Sequence, residues 1–158
     1  MDELARKLGE RLKAKREMLV TAESCTGGWV AQAVTSIAGS SDWFERGFVT
    51  YSNASKQELL GVNERTLKEH GAVSEETARE MARGALARSK ATVALAVTGV
   101  AGPGGGSREK PVGMVCFAWA SRDAVTAETK RFSGDRESVR RQSVVHALGG
   151  LLKRIMAP

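Results

Sequence analysis

The chain has 158 residues, 42% hydrophobic and 27% charged, a length and composition that predict one globular domain, residues 1–158, with a full core. Lysine and arginine number 24 against 18 aspartates and glutamates, a formal charge of +6 that favours anionic partners such as phosphates and nucleotides. Two cysteines and two histidines fit neither a disulfide framework nor a metal set, and no apolar run reaches the about 18 residues of a membrane span. With a charged N-terminus lacking an apolar signal core, these features predict a cytoplasmic protein with no metal, no cofactor and no membrane contact.

In chain order, residues 3–16 place Leu4, Leu8 and Leu12 at intervals of four among charges, which predicts a helix with a narrow apolar stripe. Met18 to Thr21 is a short strand. Gly27 to Ala38 predicts a helix with Trp29, Val30, Ala33, Val34 and Ile37 on one face, closed at Gly39. Phe48 to Tyr51 has strand composition, and Ser55 caps a short helix carrying Lys56, Leu59 and Leu60, closed by Gly61. A further short helix covers Glu64 to Glu69. Ser74 followed by Glu75 and Glu76 starts a helix over residues 74–90, because a hydroxyl cap and acidic groups both suit a helix start. Thr92 to Val97 is a strand buried on both faces, and Thr98 to Pro111 is a glycine-rich loop. Val112–Ala120 and Ala124–Phe132 form an antiparallel pair through Arg122-Asp123, and Arg136–Met156 is the last helix. Helices between the early strands and a late hairpin give an α/β fold, a three-layer α/β/α sandwich with a mixed β-sheet.

The segment Thr21-Ala22-Glu23-Ser24-Cys25-Thr26-Gly27-Gly28 is a strand-to-helix turn that presents a hydroxyl beside a thiol. Backbone N–H groups at such a helix start are free to face a developing negative charge. Ser24 needs a base to act as a nucleophile. His70, in a loop after a short helix, and His146, in the last helix, are poorly placed for it. Lys56, five residues after Tyr51, can share a pocket with that tyrosine and serve as base if burial lowers its pKa; a solvated lysine and a core tyrosine are the alternative. Cys25 competes with Ser24, since a thiol at a helix N-terminus is activated, whereas a buried cysteine is inert. Glu23 either orients a lysine or tyrosine or faces solvent. The loop Thr98 to Ser107 has glycines that allow close backbone approach to an anion, but matches neither a Walker A loop nor a dinucleotide fingerprint. Arg136 and Arg140, four apart on one helical face near a helix start, suit a bound anion or a salt bridge to Asp135 or Glu137. The basic balance also admits nucleic acid, but no basic motif with interleaved aromatics supports it.

Together Ala22-Glu23-Ser24-Cys25-Thr26-Gly27-Gly28, Tyr51-Ser52-Asn53 with Lys56, Gly71 to Thr77, Thr98-Gly99-Val100-Ala101-Gly102-Pro103 and Lys110-Pro111-Val112-Gly113 resemble the CinA C-terminal domain family of nicotinamide mononucleotide deamidases. The resemblance runs from about residue 5 to residue 153 and implies a stand-alone amidohydrolase domain. It implies hydrolysis of nicotinamide mononucleotide to nicotinic acid mononucleotide and ammonia without a metal, in a homodimer of α/β/α subunits. It further implies Ser24 as nucleophile and Tyr51 and Lys56 as its activators. The substrate side comprises Glu23, Cys25, Thr26, Gly27, Thr98, Gly99 and Arg140, with Arg136 second to Arg140. Met114 stands where the family commonly has a threonine, a position that either touches the pocket or lies in the strand core. The alternative reading is a non-catalytic nucleotide-binding regulator linked to competence or DNA damage.

Overall fold

The computed structural model describes residues 1–157. Five strands, β1 (Leu19–Glu23), β2 (Phe44–Val49), β3 (Val93–Gly99), β4 (Met114–Ser121) and β5 (Val125–Arg131), form one sheet in the order β2-β1-β3-β4-β5. β1 runs parallel to both β2 and β3, whereas β4 and β5 add antiparallel, so the sheet is mixed.

Alternation along the strands fills two separate cores. Val93, Leu95 and Val97 of β3 and Val115, Phe117 and Trp119 of β4 face one side, packed by α1 (Asp2–Ala14), α2 (Trp29–Thr35) and α6 (Arg136–Met156). The intervening Ala94, Ala96, Cys116, Ala118 and Ala120 face the other side, where α5 (Glu75–Ala87) packs with α3 (Asn53–Leu60) and α4 (Glu64–His70). The small side chains on that second face let α5 lie close to the sheet, and Leu60, Met81 and Leu67 fill the space beyond them. The α/β/α layering expected from the element order is the architecture found.

The boundaries depart from the sequence pattern in instructive places. β2 begins at Phe44, not Phe48, because β1 recruits Phe44 to Val49 as its parallel partner although Glu45, Arg46 and Gly47 lack strand composition. As an edge strand, β2 tolerates charges on its open side. Tyr51 therefore falls beyond the strand. Ser52, not Ser55, caps α3; Ser55 sits at the third helical position and returns a hydrogen bond to the Ser52 backbone, closing a capping box. α2 stops at Thr35, leaving Ile37 outside the helix but packed on the core. α5 spans Glu75–Ala87 under the predicted Ser74 cap. The glycine-rich loop starts two residues later, since Thr98 and Gly99 still pair with Cys116 and Val115.

Candidate active site

The carboxyl ends of β1 and β3 lie side by side, and β1 has a neighbour on each side, the place where open α/β sheets offer a crevice. Ser24 directly follows β1, its N–H donating to the Val97 carbonyl. From the opposite layer α3 sends Lys56 inward. Its stem is sealed by packing (1% exposed), and its Nζ lies 3.0 Å from Ser24 Oγ and donates to the Thr50 carbonyl at 2.9 Å. Neither partner is a carboxylate, and burial pushes the Lys56 pKa down from the ordinary lysine value, against a smaller opposing effect of Cys25. The alternative of a solvated lysine is thus overturned. This serine–lysine pair, with Cys25, Tyr51, Asn53, Ala72, Val73, Thr98, Gly99, Ala101 and Arg136, lines a cleft of about 180 Å³.

Cys25 corrects one expectation. Its thiol is buried in the core cluster, and desolvation raises its pKa to about 12, so the low-pKa helix-start thiol is absent. The reason is that the helix does not begin at Cys25: residues 25–28 form a turn with left-handed Gly27 (φ +59°) and Gly28 (φ +104°), and α2 starts only at Trp29. Glu23 corrects another. It neither faces solvent nor meets Lys56 or Tyr51. Fully buried, it accepts hydrogen bonds from Thr26 Oγ1 (2.6 Å) and from the N–H groups of Val30 (2.8 Å) and Ala31 (3.0 Å), bracing the start of α2. Those helix-start donors therefore face Glu23 and not the cleft. Within the turn, Gly27 N–H donates to the Ser24 carbonyl, and Thr26 is buried. Among the described residues the N–H groups of Cys25 and Thr26 have no protein acceptor.

Tyr51 stands at the rim, 65% exposed; its hydroxyl accepts from Arg136 Nη2 at 3.2 Å and makes no bond to Lys56. Thr98 Oγ1 donates to the Ala72 carbonyl at 2.8 Å, fixing the wall that Ala72 and Val73 contribute. The two arginines have different partners. Arg140 grips the turn, donating from Nε to the Cys25 carbonyl (3.1 Å) and from Nη2 to the Thr26 carbonyl (3.0 Å). Arg136 is exposed, donates to the Gly102 carbonyl, and reaches both the serine cleft and an adjoining open groove of about 740 Å³ along Thr26 to Trp29, which Arg140 also lines. His146 pairs with Glu128 and His70 with Glu76, both away from Ser24. Met114 is partly buried against the α5-side core, as a strand position should be.

Sequence reasoning assigned no role to the Thr50 carbonyl, Asn53, Ala72 and Val73. A backbone carbonyl leaves no trace in side-chain identity; the Gly71 to Thr77 segment was a signal for the other two walls. Among the described residues no group of three or more His, Cys, Asp or Glu side chains is arranged to hold a metal ion. Nor, among the described residues, is any helix long and apolar enough to cross a membrane.

Comparison with known proteins points the same way as the geometry. The family model of the CinA C-terminal domain matches residues 1–155. The chain is 53% identical over 155 residues to the nicotinamide-nucleotide amidohydrolase PncC of Escherichia coli (strain K12), covering 98% of this chain and 94% of that protein. It is 55% identical over 150 residues to the protein of the same name from Pseudomonas putida, covering 95% and 94%. Among solved structures, the competence/damage inducible protein CihA from Agrobacterium tumefaciens superposes with a TM-score of 0.94 at 49% identity, covering 96% of this chain and 93% of that one. A CinA superfamily protein from Klebsiella pneumoniae gives 0.95 at 39% identity, covering 98% and 96%.

Proposed function

The chain belongs to the CinA C-terminal domain family, and on that premise we propose that it hydrolyses the carboxamide of nicotinamide mononucleotide to nicotinic acid mononucleotide and ammonia. The observation that carries the reading is the 3.0 Å approach of a desolvated lysine to a serine hydroxyl at the floor of a cleft. A buried amine with a lowered pKa holds a larger share of its neutral form than a solvated lysine does, which is what a general base requires.

In the proposed sequence, neutral Lys56 takes the Ser24 proton as Oγ attacks the carboxamide carbon. The N–H groups of Cys25 and Thr26 receive the oxyanion, donors of a kind worth about 2.7–4 kcal/mol each. The tetrahedral intermediate collapses, the C–N bond breaks, and Lys56 returns the proton to the departing ammonia. Water, deprotonated by Lys56, then cleaves the ester and restores Ser24. The Thr50 carbonyl keeps the Lys56 amine aimed at Ser24. Arg136, hydrogen-bonded to Tyr51 at the rim, is the cation we assign to the phosphate, with Gly99 and Ala101 along the approach. Tyr51 thereby serves through the rim and not as a relay to Lys56. A homodimer joins the proposal and is checked by sedimentation equilibrium.

The deciding experiment measures ammonia release from nicotinamide mononucleotide by the wild type, Ser24→Ala and Lys56→Met. We expect turnover by the wild type and losses of about 10²–10⁴-fold or more in each variant. A wild type that binds the mononucleotide without releasing ammonia would replace this reading with the nucleotide-binding regulator.

A further inference from the structure

The carbonyls of Ser24, Cys25 and Thr26, in the turn that carries the nucleophile, are each held by a hydrogen-bond donor. Gly27 N–H holds the Ser24 carbonyl at 3.0 Å, Arg140 Nε holds that of Cys25, and Arg140 Nη2 holds that of Thr26, which Trp29 N–H also engages at 3.0 Å. In a trans peptide the C=O and the following N–H point in opposite directions. Fixing the Ser24 and Cys25 carbonyls therefore fixes the reverse-pointing N–H groups of Cys25 and Thr26. A cation on a carbonyl oxygen also polarises the N–H of the same peptide unit. The guanidinium itself is half-buried and stacked 5.4 Å from the Trp29 ring centroid, so α6 locks α2 and the turn together through one side chain.

From this geometry we infer that Arg140 is a positioning residue for turnover, aiming and strengthening the Thr26 donor directly and supporting the Cys25 donor through the Gly27 N–H that holds the Ser24 carbonyl, and not a substrate-binding cation. The inference rests on the amidohydrolase reading above. Arg136, four residues earlier, holds the rim and divides the labour with it.

The experiment compares Arg140→Gln, Arg140→Lys and Arg136→Gln in steady-state ammonia release from nicotinamide mononucleotide, with hydrogen exchange of the Cys25–Gly28 amides and melting temperature measured on the same samples. Arg140→Gln is expected to lower kcat about 10–100-fold, a part of what losing one oxyanion donor costs, with KM within about threefold, and to accelerate turn exchange. Arg140→Lys, which keeps the charge but loses the fork, recovers only part of kcat. Arg136→Gln is expected to raise KM instead. A raised KM with unchanged kcat in Arg140→Gln, or turn exchange identical to wild type, would overturn the inference. If Arg140→Gln does not fold, the kcat and exchange of Arg140→Lys decide. Should the wild type release no ammonia, the amidohydrolase reading falls, while the exchange measurement still tests the grip on the turn.

Discussion

Lys56 is the base of the proposed mechanism, and its burial has consequences for both activity and stability. Its folded pKa is lowered by desolvation, so the unfolded chain binds more protons between that value and the ordinary lysine value of 10.5. Stability contributed by this site therefore rises with pH across that window, and below it the buried ammonium is destabilising at full strength. Activity needs the neutral amine, so kcat should rise with pH along a limb whose midpoint lies below 10.5. Lys56→Met is expected to be nearly inactive yet to melt above the wild type at neutral pH, a pairing that a merely structural lysine would not give. A pH–rate profile and a thermal scan of this variant check both. Cys25 makes the complementary case: with its thiol pushed up to about 12 and enclosed by the core, native protein should resist thiol reagents. Cys25→Ala should keep kcat within about threefold while losing about 1–2 kcal/mol from the small cavity it leaves, read from urea midpoints.

At the scale of elements, the placement of α3 sets the position of the base. α3 crosses α5 so closely that a Cβ on Gly84 would meet the Leu60 carbonyl oxygen at 1.8 Å, a backbone atom that cannot move alone. Gly84→Ala should therefore push α3 outward, cost about 1–3 kcal/mol as overpacking does, and lower kcat by lengthening the Lys56–Ser24 approach. Gly104→Ala, in open space, is the control that should change neither. The nucleophile side is held by the Glu23 carboxylate against α2 and by Arg140 from α6. Thus α2 and α6 place the serine and α3 places the lysine, and the two cores on either face of the sheet hold them in register.

For the whole molecule, the antiparallel half of the sheet anchors α6. Glu128 on β5 accepts from Arg154 at 2.9 Å and lies 3.0 Å from His146 Nε2, while Arg154 stacks 3.8 Å from the Trp119 ring centroid. The Arg154 hydrogen bond, aided by His146, holds the Glu128 pKa below the ordinary carboxylate value, against a smaller opposing effect of burial. That contribution is present above the unfolded pKa and lost as pH falls through the folded one. Glu128→Gln should accordingly lower Tm near neutral pH and leave it unchanged below the carboxylate range. Substrate should stabilise the folded protein by mass action: nicotinamide mononucleotide at about 100 times its Kd should add about 2.7 kcal/mol to Ser24→Ala, which binds but does not turn over.

The amphipathic spacing of Leu8 and Leu12, the Ser74 cap and the apolar run before Thr98 determined the order and type of the elements by themselves, because each is a local pattern in the chain. So was the nomination of Ser24, Tyr51, Lys56 and the two arginines, since motif residues keep their identity in the sequence. What only the tertiary structure decided were relations between segments far apart in the chain. β2 begins at Phe44 because β1 pairs with it. The Cys25 thiol is desolvated because the core packs around it, and Lys56 meets Ser24 without Tyr51 between them. Glu23 turns inward to α2, and Arg140 grips the turn while Arg136 takes the rim. Desolvation and hydrogen-bond direction depend on which distant groups surround an atom, and a linear order of residues carries that information only after it has folded.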